Sequence, residues 1–281
     1  MEKMHIVVDL AKCVGCYNCM VACKDEHVGN CWLPYTDGQE KHGGKWINPT
    51  MYERGTVPFT EVCYVTRLCQ HCNNAPCEKA RPDAVYRRSD GLVLLDTKRA
   101  AGDRSLTEIC PYGMISWNGE LGAAQKCTMC AHLLDSGWKE PRCVQACPLR
   151  ALSMVFCSDE EFDKITRDWN LKSLTDGSNE PRVMYRNLYK YDTCFIAGTL
   201  AYIDGDISRA AGGAEVQLRM NGELLAEVKT DFFGEFKIDR IPKNSGLFGI
   251  ICDFDGYRTL KTEVEVGDDS RCLDVMYFEK L

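Results

Sequence analysis

The pattern of hydrophobic and polar positions changes once along the chain, near Phe195. From there onward, apolar and polar residues alternate in short segments, as they do in strands with one buried face. These segments are AEVQLRM (214–220), LLAEVKT (224–230), EFKIDRI (235–241), FGIICDF (248–254) and TEVEVG (262–267). The first two are separated by Asn221-Gly222, a dipeptide that favours a tight hairpin turn. The pattern predicts an all-β domain of sandwich type over residues 195–281.

The earlier part of the chain predicts a mixture of short strands and helices. HIVVDL (5–10) and GLVLLD (91–96) are apolar runs of strand length. The segment SDEEFDKITRDWNL begins with a serine and an acidic first turn, which are signals of a helix start. It places Phe162, Ile165 and Trp169 at helical spacing, so we expect a short amphipathic helix with these side chains on its apolar face.

Length, composition and charge narrow the possible classes of protein. With 281 residues, of which 45% are hydrophobic and 27% charged, the chain is long enough for two domains that each have a core. The formal net charge is −7, and Lys and Arg form no cluster. Because nucleic-acid binding needs a basic surface that contacts phosphates, a nucleic-acid partner is not expected.

The apolar residues predict no membrane-spanning segment. The N-terminal sequence MEKMHIVVDLAKC contains no apolar run of signal-peptide length, and no stretch of about 18 apolar residues occurs. We therefore expect a cytoplasmic protein, unless it is exported together with a partner that carries a signal. In such a protein the 18 cysteines indicate metal-binding thiolates in a reducing compartment rather than disulfides.

Twelve cysteines fall into spaced groups that predict iron–sulfur clusters. The groups are CVGCYNCMVAC (Cys13, Cys16, Cys19, Cys23), CQHCNNAPC (Cys69, Cys72, Cys77), CPYG (Cys110), and CTMC with CVQACP (Cys127, Cys130, Cys143, Cys147). The run C-x2-C-x2-C-x3-C occurs in bacterial ferredoxins, where three thiolates bind one 4Fe-4S cluster and the fourth binds a second cluster. Zinc sites fit less well, because they use paired knuckles and often histidine. A thioredoxin-like CxxC is normally single and lies in a βαβ unit, which is not predicted here.

An internal repeat shows a matched loss of cysteines. Residues 9–23 align with residues 96–110 without a gap, at a constant offset of 87 residues. The residues that the copies share are Asp9 with Asp96, Gly15 with Gly102, and Cys23 with Cys110. The positions that differ are Cys13, Cys16 and Cys19, which align with Ala100, Asp103 and Leu106. The second copy has therefore lost its triplet and kept its fourth cysteine.

Arg81 stands where a fourth cysteine is expected before Pro82. In crossed ligation, the triplet of one motif and the fourth cysteine of its partner motif hold the same cluster, so losing one cluster frees four positions together. We therefore predict three 4Fe-4S clusters, with the ligand sets Cys13, Cys16, Cys19 and Cys147 (cluster one), Cys127, Cys130, Cys143 and Cys23 (cluster two), and Cys69, Cys72, Cys77 and Cys110 (cluster three). The alternative, a chance surface arginine beside a degenerate zinc or disulfide site, leaves the four matched losses unexplained.

Other residues near these motifs allow simpler interpretations. His71 either tunes a cluster through a hydrogen bond or is a solvated loop histidine. Lys126, immediately before Cys127, is predicted to be a surface lysine, although its charge could stabilise an electron on a cluster. The remaining cysteines fit no ligand spacing and are predicted to be small buried or partly buried thiols: Cys31, Cys63, Cys157, Cys194, Cys252 and Cys272.

The motifs suggest a division into three segments. A ferredoxin-type 4Fe-4S domain is expected over residues 1–157, a helix and linker over 158–194, and the β domain over 195–281. Residues 24–68 form an insertion rich in Gly, Trp and Tyr, which we expect to be exposed and to cover clusters or contact a partner. The β domain contains no histidine, and no set of catalytic residues is found in the chain, so this domain is expected to dock or cover rather than to catalyse.

These cysteine motifs resemble those of the electron-transfer subunits of the dimethyl sulfoxide reductase family. The resemblance implies a larger catalytic partner subunit in a heterodimer, or a multiple of one, carrying molybdopterin guanine dinucleotide with molybdenum or tungsten. Arg81, PRVMYRNLYKY (181–191) and TDFFGEF make the chain most similar to small subunits of enzymes that transfer a hydroxyl between polyhydroxylated benzenes. The C-terminal part is similar to transthyretin-like or carboxypeptidase-regulatory-like sandwiches, which imply little about function.

The fold expected from motif and resemblance together is α+β, with two interleaved bacterial-ferredoxin-type modules followed by an all-β sandwich. The expected function is that of an electron-transfer subunit whose chemistry occurs on the partner. Two alternatives remain open: a small subunit of a reductive catechol dehydroxylase or another molybdenum oxidoreductase, and a free-standing polyferredoxin that carries electrons alone.

Overall fold

The computed structural model describes residues 2–281, which form two compact units. The first unit contains the residues up to Met51 together with Cys63–Leu188, and the second contains Tyr52–Val62 together with Tyr189–Leu281. Most of the segment 158–194, which the sequence suggested as helix and linker, is thus part of the first unit. Within residues 2–281, no helix has both the length and the apolar character needed to cross a bilayer.

Short strands and helices alternate along the first unit. Its elements are β1 (Lys3–Asp9), α1 (Asn18–His27), β2 (Ile47–Thr56), β3 (Phe59–Leu68), α2 (Pro76–Ala80), β4 (Val85–Arg87), β5 (Val93–Leu95), α3 (Leu106–Ile109), β6 (Ile115–Asn118), β7 (Ala123–Lys126), α4 (Ala131–Asp135), α5 (Arg142–Gln145), β8 (Leu152–Cys157), α6 (Asp159–Asp168) and β9 (Val183–Arg186). β2 and β3 form a hairpin whose tip belongs to the second unit.

A three-stranded sheet has β1 at its centre. β1 pairs antiparallel with β8 and parallel with β9, and every residue from Met4 to Asp9 is buried. A strand covered on both faces needs no polar alternation, which explains the continuous apolar run in HIVVDL. The strands predicted in HIVVDL and GLVLLD are confirmed as β1 and β5.

Helix α6 is the amphipathic helix that the sequence predicted. The hydroxyl of Ser158 accepts the backbone N–H of Glu161 at 3.2 Å, and the carboxylate of Glu161 accepts the N–H of Ser158 at 2.9 Å, so both ends of a capping box are present. Phe162 is buried, as expected. The placement of Trp169 on the apolar face was wrong, because the helix ends at Asp168 and the exposed Trp169 ring lies 5.7 Å from the guanidinium carbon of Arg186.

The second unit consists of strands and one short helix. Its elements are α7 (Tyr189–Asp192), β10 (Thr193–Asp204), β11 (Ile207–Ala210), β12 (Glu215–Met220), β13 (Glu223–Lys229), β14 (Glu235–Pro242), β15 (Gly246–Asp253), β16 (Leu260–Val266), β17 (Arg271–Cys272) and β18 (Met276–Phe278). One sheet has the order β11-β10-β14, with β17 and β18 also paired to β10, and the other has the order β13-β12-β15-β16. All five strands predicted from alternation are confirmed, as β12 to β16.

The two sheets of this unit share one hydrophobic core. Leu200 of β10 and Ile250 of β15 are both completely buried in it. Full burial of such a side chain stabilises the folded state by about 2 kcal/mol relative to exposure. The turn between β12 and β13 has φ of 51° at Asn221 and 86° at Gly222, which matches the two positive φ angles of a type I′ hairpin turn.

Arg54 attaches the hairpin tip to the strands of the second unit. Its guanidinium donates to the carboxylate of Glu61 at 2.6 Å and to that of Asp239 at 3.0 Å. The guanidinium carbon also lies 5.3 Å from the ring centroid of Phe195, and Arg54 is 8% exposed. Burial acts to raise the pKa of Asp239, but hydrogen bonds from the Arg240 backbone and from Arg54 hold that pKa below its usual value. The ion pair therefore favours the charged carboxylate.

Replacing Arg54 should loosen the second unit. We expect Arg54→Met to destabilise it by about 2 kcal/mol, because two partly buried carboxylates lose a charged donor. Amide hydrogen exchange of β10 and β14 in the intact protein measures the change. The matched control is Arg209→Met, which removes an exposed pair with Asp204 at 3.6 Å and should change the exchange very little. Equal acceleration in both variants would contradict this role of Arg54.

Candidate iron–sulfur sites

Cysteines that are far apart in the sequence of the first unit lie around one cavity. This cavity is lined by the predicted cluster-one residues Cys13, Cys16, Cys19 and Cys147. Gly15 has a φ of 67°, and a Cβ atom there would lie 2.2 Å from the ring of Tyr64. Only glycine fits that position without displacing the ring, so Gly15 allows the loop to curve closely around the cavity.

A second cavity is formed by the middle of the chain. It is lined by the predicted cluster-three residues Cys69, Cys72, Cys77 and Cys110. Burial raises the pKa of the Cys72 thiol to about 12, and the neighbouring thiols of Cys69 and Cys110 act in the same direction. Four thiolates buried together here would repel one another, so they need a positively charged group, such as metal ions, between them.

The remaining four predicted ligands also lie together. They are the predicted cluster-two residues Cys23, Cys127, Cys130 and Cys143, of which all but Cys127 are buried. Burial raises the pKa of Cys143, and the nearby thiols of Cys130, Cys127 and Cys23 raise it further. The imidazole Nε2 of His27 lies 3.9 Å from the sulfur of Cys130. The structure thus places the cysteines of each predicted set near one another, and the assignment of the ligands to three clusters stays a prediction.

The four positions that lack cysteine come together as well. The guanidinium of Arg81 forms a close ion pair with the carboxylate of Asp103, although the two residues belong to different motifs. Ala100 and Leu106 are completely buried in the core that also contains Cys69 and its neighbours. Charge pairing and apolar packing therefore fill the place where crossed ligation would position a fourth cluster.

The two copies of the internal repeat begin with the same backbone turn. The N–H of Cys13 donates to the carbonyl of Asp9 at 3.2 Å, and the N–H of Ala100 donates to the carbonyl of Asp96 at 3.0 Å. The glycines that follow, Gly15 and Gly102, have φ angles of 67° and 77°. The turn is therefore the same in the copy with the cysteine triplet and in the copy without it.

Lys126 is not the surface residue that the sequence predicted. It is 3% exposed and its ammonium donates to the carbonyl oxygens of Val93 and Cys127, the latter at 3.1 Å. Lys126 ends strand β7, in which all four residues are buried. Strand β7 pairs with β6 inside the unit, and this pairing places the side chain of Lys126 among the thiols. The sequence could not predict this burial, because the short segment AAQK shows no alternation of apolar and polar residues.

His71 is completely enclosed, so the solvated interpretation of this residue was wrong. Its Nδ1 accepts the backbone N–H of Val93 at 3.1 Å, and its Nε2 has no hydrogen-bond partner among the described residues. Burial lowers the pKa of His71 well below its usual value, and the positive charge of Lys126 lowers it further. The imidazole is therefore neutral, and it lines the same cavity as Cys69 and Cys72.

The insertion 24–68 was expected to expose its aromatic residues, and this expectation was wrong. None of its six aromatic side chains is fully exposed, and Trp46 is only 1% exposed. Trp46 packs at 4.7 Å from the ring of His27, and Trp32 stacks at 4.2 Å on the ring of His132. These rings exclude water on the side of the cluster-two cysteines, because His27 contacts Cys130.

Two smaller outcomes concern residues outside the ligand sets. Cys31 is exposed, so the prediction of a buried or partly buried thiol was wrong for it, whereas the other five non-ligand cysteines are buried or half-buried.

Glu26 was missed by the sequence analysis: its carboxylate lies 3.0 Å from Nε2 of His132 and 3.3 Å from Nε of Arg142. The available signal was its spacing, since Glu26 lies three positions after Cys23 on helix α1 and so shares its face.

Gly15 and its repeat partner Gly102 provide a matched test of the first cavity. Both have positive φ, but a Cβ atom at Gly102 would meet nothing within 4 Å. We expect Gly15→Ala to abolish metal binding by the Cys13 set, because strain of about 1–2 kcal/mol adds to a clash with Tyr64. Gly102→Ala introduces the same backbone strain without a clash, so this variant should keep its full iron content. Iron analysis of both variants decides, and equal iron loss would contradict the role of the clash.

The comparisons with known proteins agree with this chemistry. Residues 60–156 match a family model described as a 4Fe-4S dicluster domain. The chain is 34% identical to a subunit of the tetrathionate reductase of Salmonella typhimurium, over 52% of this chain and 55% of that protein. It is 33% identical to a component of the anaerobic dimethyl sulfoxide reductase of Escherichia coli, over 52% of this chain and 69% of that protein. Both matches span about half of this chain.

One relative matches nearly the whole chain, including the second unit. The pyrogallol hydroxytransferase small subunit of Pelobacter acidigallici is 39% identical over 275 residues, which are 96% of this chain and 97% of that protein. The likeness therefore includes the segments beyond the cysteine motifs. This protein belongs to the iron–sulfur subunits of the dimethyl sulfoxide reductase family, in the group that contains the pyrogallol hydroxytransferase small subunit.

Proposed function

We propose that this chain is the electron-transfer small subunit of a molybdopterin enzyme that transfers hydroxyl groups between polyhydroxylated benzenes. The observation that carries the proposal is the 39% identity, along almost the full length of both proteins, to a protein described as a pyrogallol hydroxytransferase small subunit. Shorter matches to subunits of other reductases support the electron-transfer role but not the substrate.

Three 4Fe-4S clusters are held by the chain in this proposal. The ligand sets are Cys13, Cys16, Cys19 and Cys147 for cluster one, Cys127, Cys130, Cys143 and Cys23 for cluster two, and Cys69, Cys72, Cys77 and Cys110 for cluster three. Support comes from the donor chemistry, since iron–sulfur clusters are bound by four thiolates and each group offers four. The ion pair of Arg81 with Asp103 supports three clusters rather than four.

The protein's own residues position and shield these sites. When bound, the clusters supply one-electron transfer. Gly15 and Tyr64 shape the loop of the Cys13 set, and Trp46 and His27 exclude water from the Cys130 side. Dry, apolar walls of this kind influence both the stability and the reduction potential of a cluster. No residue of this chain is assigned a catalytic role, and the chemistry on the aromatic ring is expected on the partner.

The expected partner is a larger subunit that carries molybdopterin guanine dinucleotide with molybdenum or tungsten, in a heterodimer or a multiple of one. A candidate contact lies beside the first cavity, where Cys16 and the apolar side chains of Val14, Val21 and Leu149 are exposed. An apolar surface next to an electron-transfer site suits a stable subunit interface, because its burial brings two redox centres close while excluding water.

The fold proposal follows the same resemblance. Residues 1–157 are two interleaved ferredoxin-type modules, 158–194 a helix and linker, and 195–281 a sandwich of the transthyretin or carboxypeptidase-regulatory type. The two sheets with a common core support the sandwich. We further propose that the chain inserts no segment into a membrane and works in the cytoplasm, unless a signal-bearing partner exports it.

The number of clusters and their crossed ligation can be tested together. Anaerobically purified protein should contain about twelve iron and twelve sulfide per chain, from three four-iron clusters. Cys110→Ser should alter the same electron paramagnetic resonance signal as Cys72→Ser, and Cys23→Ser the same signal as Cys143→Ser. Arg81→Cys alone should add no iron, because three further ligands are missing. A fourth signal in that single variant, or zinc in place of iron, would contradict the assignment.

Purification from the native host tests the partner and the substrate class. We expect a larger molybdenum-containing or tungsten-containing chain to co-purify and the complex to transfer hydroxyl groups between polyhydroxylated benzenes. Leu149→Glu should weaken the association, because it places a charge at the apolar contact. Leu247→Glu is the matched control, since Leu247 of the second unit has a similar exposure, 56% against 50%. A metal-free monomer that shuttles electrons by itself would favour a free-standing polyferredoxin.

A further inference from the structure

Lys126 carries a buried positive charge that has no carboxylate partner among residues 2–281. Its hydrogen bonds go to neutral groups, the carbonyl oxygens of Val93 and Cys127. A buried ammonium is costly unless an opposite charge lies nearby. Some negative group must therefore face Lys126 in the working protein.

The groups whose negative charge would act most strongly on Lys126 are thiols of two different sets. Cys69 and Cys77 belong to the cluster-three set, and Cys127 belongs to the cluster-two set. Lys126 also lines the cluster-three cavity itself. A cluster held by four thiolates is negatively charged and becomes more so on reduction, so it supplies the missing counter-charge.

His71 directs a hydrogen-bond donor at the same cavity. Because its Nδ1 accepts the backbone N–H of Val93, that nitrogen carries no proton, and the ring proton must reside on Nε2. This Nε2–H is fully enclosed, has no partner among the described residues, and belongs to a side chain that lines the cavity. A sulfur atom of a cluster in the cavity would accept it. This observation is independent of the charge on Lys126.

The cluster-one cavity is lined by none of the buried unpaired donors among the residues that the structure describes. On the cluster-two side, the hydroxyl of Thr128 and the indole N–H of Trp46 have no partner among those residues, but neither group carries a charge.

Lys126 also faces Cys127 of the cluster-two set, but the other cations near that set are paired or only half-buried. Arg142 is paired with Glu26 at 3.3 Å, and the half-buried Lys24 donates to the carbonyl oxygen of Glu40 at 2.7 Å. The lysine that lines the cluster-one cavity, Lys12, is exposed to solvent, which screens its charge. By contrast, Arg182 is 1% exposed and donates to the side-chain oxygen of Asn73, the neighbour of Cys72, so it adds positive charge on the cluster-three side.

We propose that Lys126 and His71 give cluster three the highest reduction potential of the three clusters, so that the first electron entering the chain resides there. The proposal rests on the three-cluster assignment made above. Both residues are positioning residues: each stabilises the additional negative charge of the reduced cluster, one by its charge and the other by a hydrogen bond. The step is a one-electron reduction by an external low-potential donor and involves no bond change in the protein.

The test is a redox titration of the intact complex with dithionite, followed by electron paramagnetic resonance. Cys110→Ser identifies the cluster-three signal, because it changes one ligand of that cluster alone. The Lys126→Met variant is compared with the unmodified protein at the potential where cluster three of the unmodified protein is half reduced. At that potential, the ratio of reduced to oxidised cluster three should be at least tenfold lower in the variant, which corresponds to about 59 mV for one electron. The ratio for cluster one should change less than twofold.

Two further variants separate the two contributions. His71→Asn should lower the ratio in the same direction, because asparagine tolerates the left-handed backbone at this position, with φ of 43°, but lacks the ring donor. The matched control is Lys79→Met, which removes an exposed lysine two residues after Cys77 and should leave the ratio unchanged. An equal shift in Lys79→Met and Lys126→Met would overturn the proposal.

The unmodified protein provides a test that does not depend on variant assembly. In its titration, the first signal to appear must be the one that Cys110→Ser alters. If another cluster is reduced first, the proposal is wrong even when iron analysis confirms three clusters. An iron content that excludes three clusters would instead contradict the proposed function, so the two failures are distinguishable.

Discussion

Each cysteine group in the first unit must join thiols from distant parts of the chain, and most of the surrounding structure depends on this crossing. The Cys13 loop lies near the beginning of the chain and reaches Cys147, and the Cys69 loop reaches Cys110. Long helices or wide sheets would keep these segments apart. The unit instead uses helices of at most ten residues and a three-stranded sheet in which the first strand pairs with β8 and β9.

Buried charge is the second constraint, and it is handled differently at each place. At the four positions that lack cysteine, the half-buried Arg81 and Asp103 neutralise one another, and Ala100 and Leu106 are buried in the apolar core. Near the Cys130 thiol, Glu26 neutralises Arg142. Beside the Cys69 group, Lys126 has no carboxylate partner in the part of the chain that the structure describes. A buried charge is costly unless an opposite charge compensates it. The site beside Lys126 therefore favours a negatively charged group more than the sites whose cations are already paired.

The second unit is stabilised by other means and contains none of the twelve grouped cysteines. Its two sheets share an apolar core, and Arg54 fixes the hairpin tip through carboxylates of Glu61 and Asp239. Its strands were predictable because alternation with period two is a local property, and the Asn221-Gly222 turn is specified by two adjacent residues. The match to the relative from Pelobacter acidigallici extends through this unit, so the full chain and not only its cysteine motifs is shared.

Periodicity and capping chemistry can be read from the order of the residues alone, and they were enough to predict strands β12 to β16 and the capped helix α6. Ligand spacing predicted iron–sulfur chemistry in the same way, which the match to a 4Fe-4S dicluster domain supports. These patterns could not reveal which polar side chains are enclosed. Lys126, His71 and Trp46 lie in short segments without periodicity, and their burial depends on elements that are remote in sequence. That a lysine and a histidine face the thiols of Cys69 and Cys72 became evident from the folded chain, because burial and electrostatics arise from packing between segments rather than from local order.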